Sequence, residues 1–160
     1  MDLYSVAQDA EKLESIAYMA EDAMQVKRHS SAFISRLASV CEDPRVKERW
    51  GASIELAEDG LTAEINSPFG YASAHLSFFV GDSNSIEGRW DVRKTVLDTT
   101  GKVASEWVTS FRVLKSGLVF VGADQKIGIP SVNRIPRDDE DRTAYQVATA
   151  LLYLIGRFRG

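Results

Sequence analysis

Between residues 52 and 121, six short runs of strand-type residues follow one another, and the longest connector between them, 81–88, has eight residues. A parallel neighbour needs a crossover of a dozen residues or more, so successive runs must pair antiparallel, as a meander. The runs are 52–57, 61–66, 72–80, 89–97, 103–113 and 118–121. Between them stand turn signals such as Glu58-Asp59-Gly60, Ser67-Pro68-Phe69-Gly70, Asp98-Thr99-Thr100-Gly101 and Lys115-Ser116-Gly117. Helical signals lie only outside this block, at 1–50 and 138–158. Helices, an antiparallel sheet of five to six strands and a last helix predict a two-layer α+β fold. At 160 residues the chain suits a single domain, 1–160.

The N-terminal part is the most periodic. Leu3, Val6, Ala10, Leu13, Ala17, Ala20 and Met24 recur at 3-4-3-4 spacing and form one narrow helical stripe. Ser5 to Gln8 matches a capping box, with Asp2 as the alternative cap. The polar stretch Lys27-Arg28-His29-Ser30-Ser31 interrupts the stripe before Phe33, Ile34, Leu37, Ala38 and Cys41 resume it. Unbroken from 3 to 42, such a helix is about 60 Å long, twice the diameter of a small domain, so a break or kink is expected at 29–31. If there is none, the helix end must project and find a partner. Its seam has the width that a helix pair uses, so it is expected to bury against the sheet or in a homodimer. Asp43-Pro44 then starts a short turn that Gly51 closes. Residues 122–136 read as a connection with room for an edge strand at 126–129. The last helix places Asp138-Asp139-Glu140-Asp141 at its positive end and Arg157 and Arg159 at its negative end. It buries Tyr145, Ala148, Leu151, Leu152 and Ile155.

Composition narrows the function classes. Apolar residues make up 44% of the chain and no run is long enough to cross a bilayer, while the acidic start lacks the features of a signal peptide; the cytoplasm is the expected compartment. One cysteine, Cys41, forms no internal bridge and reads as a small buried hydrophobe. A net charge of −4 argues against a dedicated nucleic-acid binder; Arg134, Arg137, Arg142, Arg157 and Arg159 would be its bases, but acids interleave with them. Charge is segregated: residues 1–22 hold six acids and Lys12, and residues 27–49 hold six bases against three acids. Helix dipoles and solubility explain much of this, and a segregated surface also steers charged partners.

No phosphate loop, dinucleotide fingerprint, nucleophile elbow or paired-histidine zinc motif is present, and with His29, His75 and Cys41 alone neither a metal nor another cofactor is expected. Asp82-Ser83-Asn84-Ser85 echoes a calcium loop but lacks its glycine. The acid run at 138–141 is explained by the helix dipole. His75 alternates with Ser73 and Ser77 on a polar strand face with no nucleophile in sequence reach. His29 reads as a surface or hinge residue.

The hairpin 89–113 is the most informative element. A turn at Thr99-Thr100-Gly101 pairs Asp98 with Lys102, so odd residues face odd. One face then carries Arg89, Asp91, Arg93, Leu97, Val103, Trp107 and Phe111, and the other Trp90, Val92, Lys94, Val96, Ala104, Glu106, Val108 and Arg112. Both faces mix large apolar groups with charge. Either helices cover parts of both, with both tryptophans in the core as the simpler expectation, or one tryptophan belongs to an exposed recognition patch. In size, acidity and element order the chain resembles small bacterial α+β proteins that bind other proteins, such as secretion chaperones and toxin-neutralising immunity proteins. It lacks the central helix of the chaperone pattern, and no functional residue carries over. The missing catalytic motifs, the segregated charge and the mixed sheet face point to a non-catalytic protein-binding module, with Arg89, Arg93 and Trp107 as partner-binding residues and Arg112 as the opposite-face alternative. The alternative is a small-molecule binder or unrecognised enzyme with a pocket between sheet and helices near His75, Trp90 and Arg112.

Overall fold

Alternation decides which side of the meander is dry. The computed structural model describes residues 2–81, 85–121, 125–128 and 138–157, with backbone alone for Val6, 125–128 and 138–142. Strands β1 (Ser53–Leu56), β2 (Thr62–Ser67), β3 (Gly70–Val80), β4 (Ile86–Leu97), β5 (Val103–Leu114), β6 (Leu118–Val121) and β7 (Gln125–Gly128) form one antiparallel sheet in sequence order. The expected meander is there, with one strand more than five to six: the edge strand foreseen at 126–129 pairs with β6. Helices α1 (Leu3–Ala7), α2 (Ala10–Glu42), α3 (Pro44–Trp50) and α4 (Asp138–Arg157) complete the α+β fold. Ile54, Ala63, Ile65, Ala72, Ala74, Trp90, Val92, Phe111, Val113 and Val119 form a buried inner face. Packed against it are Phe33, Ile34 and Leu37 of α2 and Val147, Leu151, Leu152 and Ile155 of α4. Tyr145 departs from the expected stripe: it is partly exposed and stacks on Trp50 at 5.2 Å between ring centroids.

No kink occurs at residues 29–31; α2 runs unbroken from Ala10 to Glu42. Ser30 is fully buried there, above Gly88 of β4. A Cβ at Gly88 would stand 2.6 Å from Val26 Cγ1 and 3.6 Å from Ser30 Oγ, so the helix crosses the sheet at a point where only small groups fit. Lys27 and Arg28 point to solvent, and the polar interruption is thus an amphipathic turn seated on a close contact. The break comes earlier. Asp2 Oδ1 accepts from Ser5 N to cap α1, and Asp9 Oδ1 accepts from Lys12 N to start α2 afresh. Asp43 Oδ1 accepts from Arg45 N at the start of α3, and Gly51, at φ +58°, closes it.

The stripe of residues 3–24 does not reach the sheet: every buried residue of α2 lies at Val26 or beyond. Leu3 is 86% exposed, Leu13 49% and Met24 73%. Cys41 is buried, and burial followed by the Glu42 charge pushes its thiol up from the ordinary range. No helix is long and apolar enough to cross a membrane among the described residues.

Two substitutions test this core. Leu152→Ala, at a site only 4% exposed, is expected to cost about 2 to 5 kcal/mol in urea unfolding. Ser30 Oγ has no hydrogen-bond partner among the described residues, so Ser30→Ala should leave stability unchanged or raise it by about 1 kcal/mol. A loss of stability there would mean that the hydroxyl is bonded.

Candidate functional site

Among the described residues, the face of the sheet away from the helices is open. Pairing between β4 and β5 begins as the turn chemistry demands, with Leu97 opposite Val103 and Arg93 opposite Trp107. The register then shifts: Val92 pairs with Thr109, so Val108 is an extra residue and a bulge forms. Past it, even residues of β5 face odd residues of β4. This corrects the uniform odd-to-odd pairing and changes two face assignments. Phe111 joins Trp90 on the inner face, while Arg112 pairs with Arg89 on the open one. Arg112 is therefore no opposite-face alternative; Arg89, Arg93, Trp107 and Arg112 share one surface. The two tryptophans separate as well. Trp90 is fully buried and Trp107 is 50% exposed, against the expectation that both lie in the core.

The bulge also explains a local network. In a regular strand, residues i and i+3 point to opposite faces, but the extra residue puts Trp107 and Ser110 on one side. Trp107 Nε1 donates to Ser110 Oγ at 2.8 Å, and Arg89 Nη2 donates to the same oxygen at 3.4 Å. Ser110 Oγ in turn donates to Asp91 Oδ1 at 2.5 Å, which also accepts from Arg89 Nε at 3.0 Å. The hydroxyl thus uses its proton and both lone pairs, and the indole is held in one orientation.

The arginines differ in their duties. Arg112 Nε and Nη2 both donate to Glu87 Oε2, at 3.1 and 2.6 Å, and its guanidinium lies 5.5 Å from the Phe120 ring centroid. The Glu87 side chain is only 7% exposed, so Arg112 neutralises a buried carboxylate. Arg89 is tied to Asp91 and Ser110. Arg93 is exposed beside Trp107 and makes no ion pair or hydrogen bond among the described residues.

His75 is exposed on the same face, as its alternation with Ser73 and Ser77 required. One row of the sheet reads His75, Asp91, Ser110, the residue types of a hydrolytic triad. The order defeats that chemistry. Asp91 lies in the middle and accepts the serine hydroxyl's hydrogen bond, while His75 is two strand spacings, about 9.5 Å, from Ser110, against the roughly 3 Å a nucleophile and its base need. His75, Trp90 and Arg112 do not line one pocket, because Trp90 lies under the sheet and the other two lie over it. A shallow cleft of about 360 Å³ occurs instead between α3, the β2–β3 turn and α4, lined by Arg49, Trp50, Pro68, Phe69, Leu152 and Tyr153. Nothing in the sequence pattern marked it, since its walls come from three separated segments.

Among the described residues no group of three histidine, cysteine or acidic side chains is placed to hold a metal ion. Asp82, Ser83 and Asn84 of the calcium-like stretch, and Arg134, Arg137 and Arg159, lie outside the described residues, as do the side chains of the acid run at 138–141 and of Arg142. Burial, then the Arg28 charge, holds His29 below the ordinary imidazole value; its ring packs beside Gly117. No family model, curated protein or solved structure matches the chain.

The contrast between arginines is measurable. Arg112→Ala, which strands the buried Glu87 carboxylate, should cost about 1 to 3 kcal/mol, whereas Arg93→Ala should stay within about 0.5 kcal/mol of the parent. Equal effects in denaturant titrations would contradict the division of roles.

Proposed function

We propose that the protein is a non-catalytic protein-binding module whose recognition surface is the open sheet face around Trp107. The observation that carries this reading is a half-exposed indole, locked by Ser110, beside the Arg93 guanidinium, which makes no ion pair among the described residues. A pre-oriented aromatic loses little rotamer freedom on binding, and tryptophan with arginine is the composition of interface hot spots. Leu97 and Val103, also exposed, extend the apolar strip toward the hairpin tip. The partner that suits it presents an apolar side chain flanked by a carboxylate, for Arg93 to pair with. Arg89 and Arg112 belong to this surface chiefly as positioning groups, through Asp91 and Glu87.

A second reading, small-molecule binding, draws on the cleft between α3 and α4, whose volume is at the lower end for ligand pockets. It has no convergent set of titratable groups, which favours the first reading.

The test compares baits. A partner isolated with the intact protein should bind Trp107→Ala more weakly by at least about 2 kcal/mol, and Arg93→Glu likewise, with unchanged circular dichroism and unfolding midpoint. If both variants fold and bind as the parent does, the open face is not the recognition surface. If Trp107→Ala unfolds, the indole serves packing.

A further inference from the structure

Helix α2 is about 50 Å long, and every buried residue on it lies at Val26 or beyond. In its first half Ala10, Leu13, Ala17, Ala20 and Met24 keep the 3-4-3-4 spacing of a helix-pairing seam, and all five are exposed. At about 100° per residue the line of Leu13, Ala17, Ala20 and Met24 lies roughly 130° around the helix from Val26, Phe33, Leu37 and Cys41, so the protein's own core leaves it bare. The seam has a definite end. From Lys27 onward the chain covers the same line itself, since a Cβ at Gly60, in the β1–β2 turn, would stand 3.1 Å from Lys27 Cε and 3.2 Å from Ser31 Oγ. What is left is a strip about 20 Å long, from Ala10 to Met24. Charge marks one edge of this strip. Counted in heptads, the seam residues take the first and fourth positions, and Glu14 and Glu21 both take the fifth, on the flank farther from the core. The other flank carries Ile16 and Ala23. Both glutamates are exposed and make no ion pair among the described residues. They stand beyond the first turn of the helix, out of reach of its dipole.

We propose that this strip docks a basic amphipathic helix of a partner protein. Leu13 and Met24 bound a hole floored by Ala17 and Ala20, which receives a bulky apolar side chain of the partner, and two lysines or arginines one heptad apart pair with Glu14 and Glu21. Charge decides against the other occupants. A second copy of this chain would set glutamate against glutamate when antiparallel, and would set both glutamates beside Ile16 and Ala23 when parallel. Residues 1–22 hold six acids against Lys12, which repels anionic lipid and nucleic acid. The contact is small and suits a reversible complex. It belongs to the helix side of the sheet, away from Trp107, so the two surfaces act independently.

Two synthetic helical peptides test the docking, both with leucine at the seam positions, one with lysine and the other with glutamate on the flanks. In low salt, fluorescence anisotropy should show the lysine peptide binding the parent protein and the glutamate peptide failing to bind. Glu14→Lys with Glu21→Lys should weaken the lysine peptide by at least about tenfold and admit the glutamate peptide. Leu13→Asp should weaken the lysine peptide as well. Glu48→Lys, an exposed charge reversal on α3, and Trp107→Ala should leave its binding unchanged. No binding of the lysine peptide, an equal loss from Glu48→Lys or Trp107→Ala, or failure of the double reversal to exchange the peptides would each overturn the proposal. So would a parent that sediments as a dimer and becomes monomeric with Leu13→Asp, because a second copy would then hold the strip. All the substituted positions are exposed, and circular dichroism checks that the variants are folded.

Discussion

The crossing of α2 over β4 at Gly88 is the contact on which the rest of the molecule depends. The helix approaches so closely that a single added carbon would strike Val26, and fully buried Ser30 and Trp90 lie on either side of the contact layer. Because this contact needs small groups, the helix carries a polar-looking turn in its middle without breaking there. A rigid helix seated at that point covers one face of the meander together with α4, leaves the other face open, and carries its own first half beyond the sheet. The open surface and the exposed arm follow from one packing decision.

The bulge at Val92 and Arg93 is the second decision, and it is local. A single extra residue in β5 turns Phe111 into the core, where it meets Phe33 edge-on at 5.5 Å, and turns Arg112 outward to cover Glu87. Without it, a regular strand would put Phe111 in water and the Arg112 guanidinium under the sheet beside Trp90, an uncompensated charge in an apolar layer. The same residue brings Ser110 under the Trp107 indole. Core completion and site formation are thus one event, which is why the aromatic and charged residues of this hairpin look mixed in sequence and separate cleanly in space.

The network around Ser110 also shows how the residue types of a hydrolytic triad can gather without its geometry. Serine, aspartate and histidine share a row, but the hydroxyl is spent on orienting an indole and balancing an Arg89–Asp91 pair. Such a surface is stiff and polar at its base and apolar at its tip. Those properties suit the recognition role proposed for this face.

What the sequence by itself determined are the features set by short-range pattern: the antiparallel meander from its connector lengths, α4 from its 3.6-residue period and acidic start, the Asp43-Pro44 and Gly51 signals of α3, and the burial of Leu151, Leu152, Ile155 and Cys41. Arg89, Arg93 and Trp107 were legible as a group because Arg89 and Arg93 alternate along β4, which carries no extra residue, and Trp107 pairs with Arg93 on the turn side of the bulge. Only the tertiary structure showed that α2 runs through residues 29–31, where Ser30 is buried against Gly88, nearly sixty residues away. It alone placed Arg112 with the other three, because a bulge is set by how the two strands meet the core beneath them. And it alone left the stripe of residues 3–24 uncovered: periodicity says that a face is apolar, whereas what lies against that face is a matter of where the chain's other elements end.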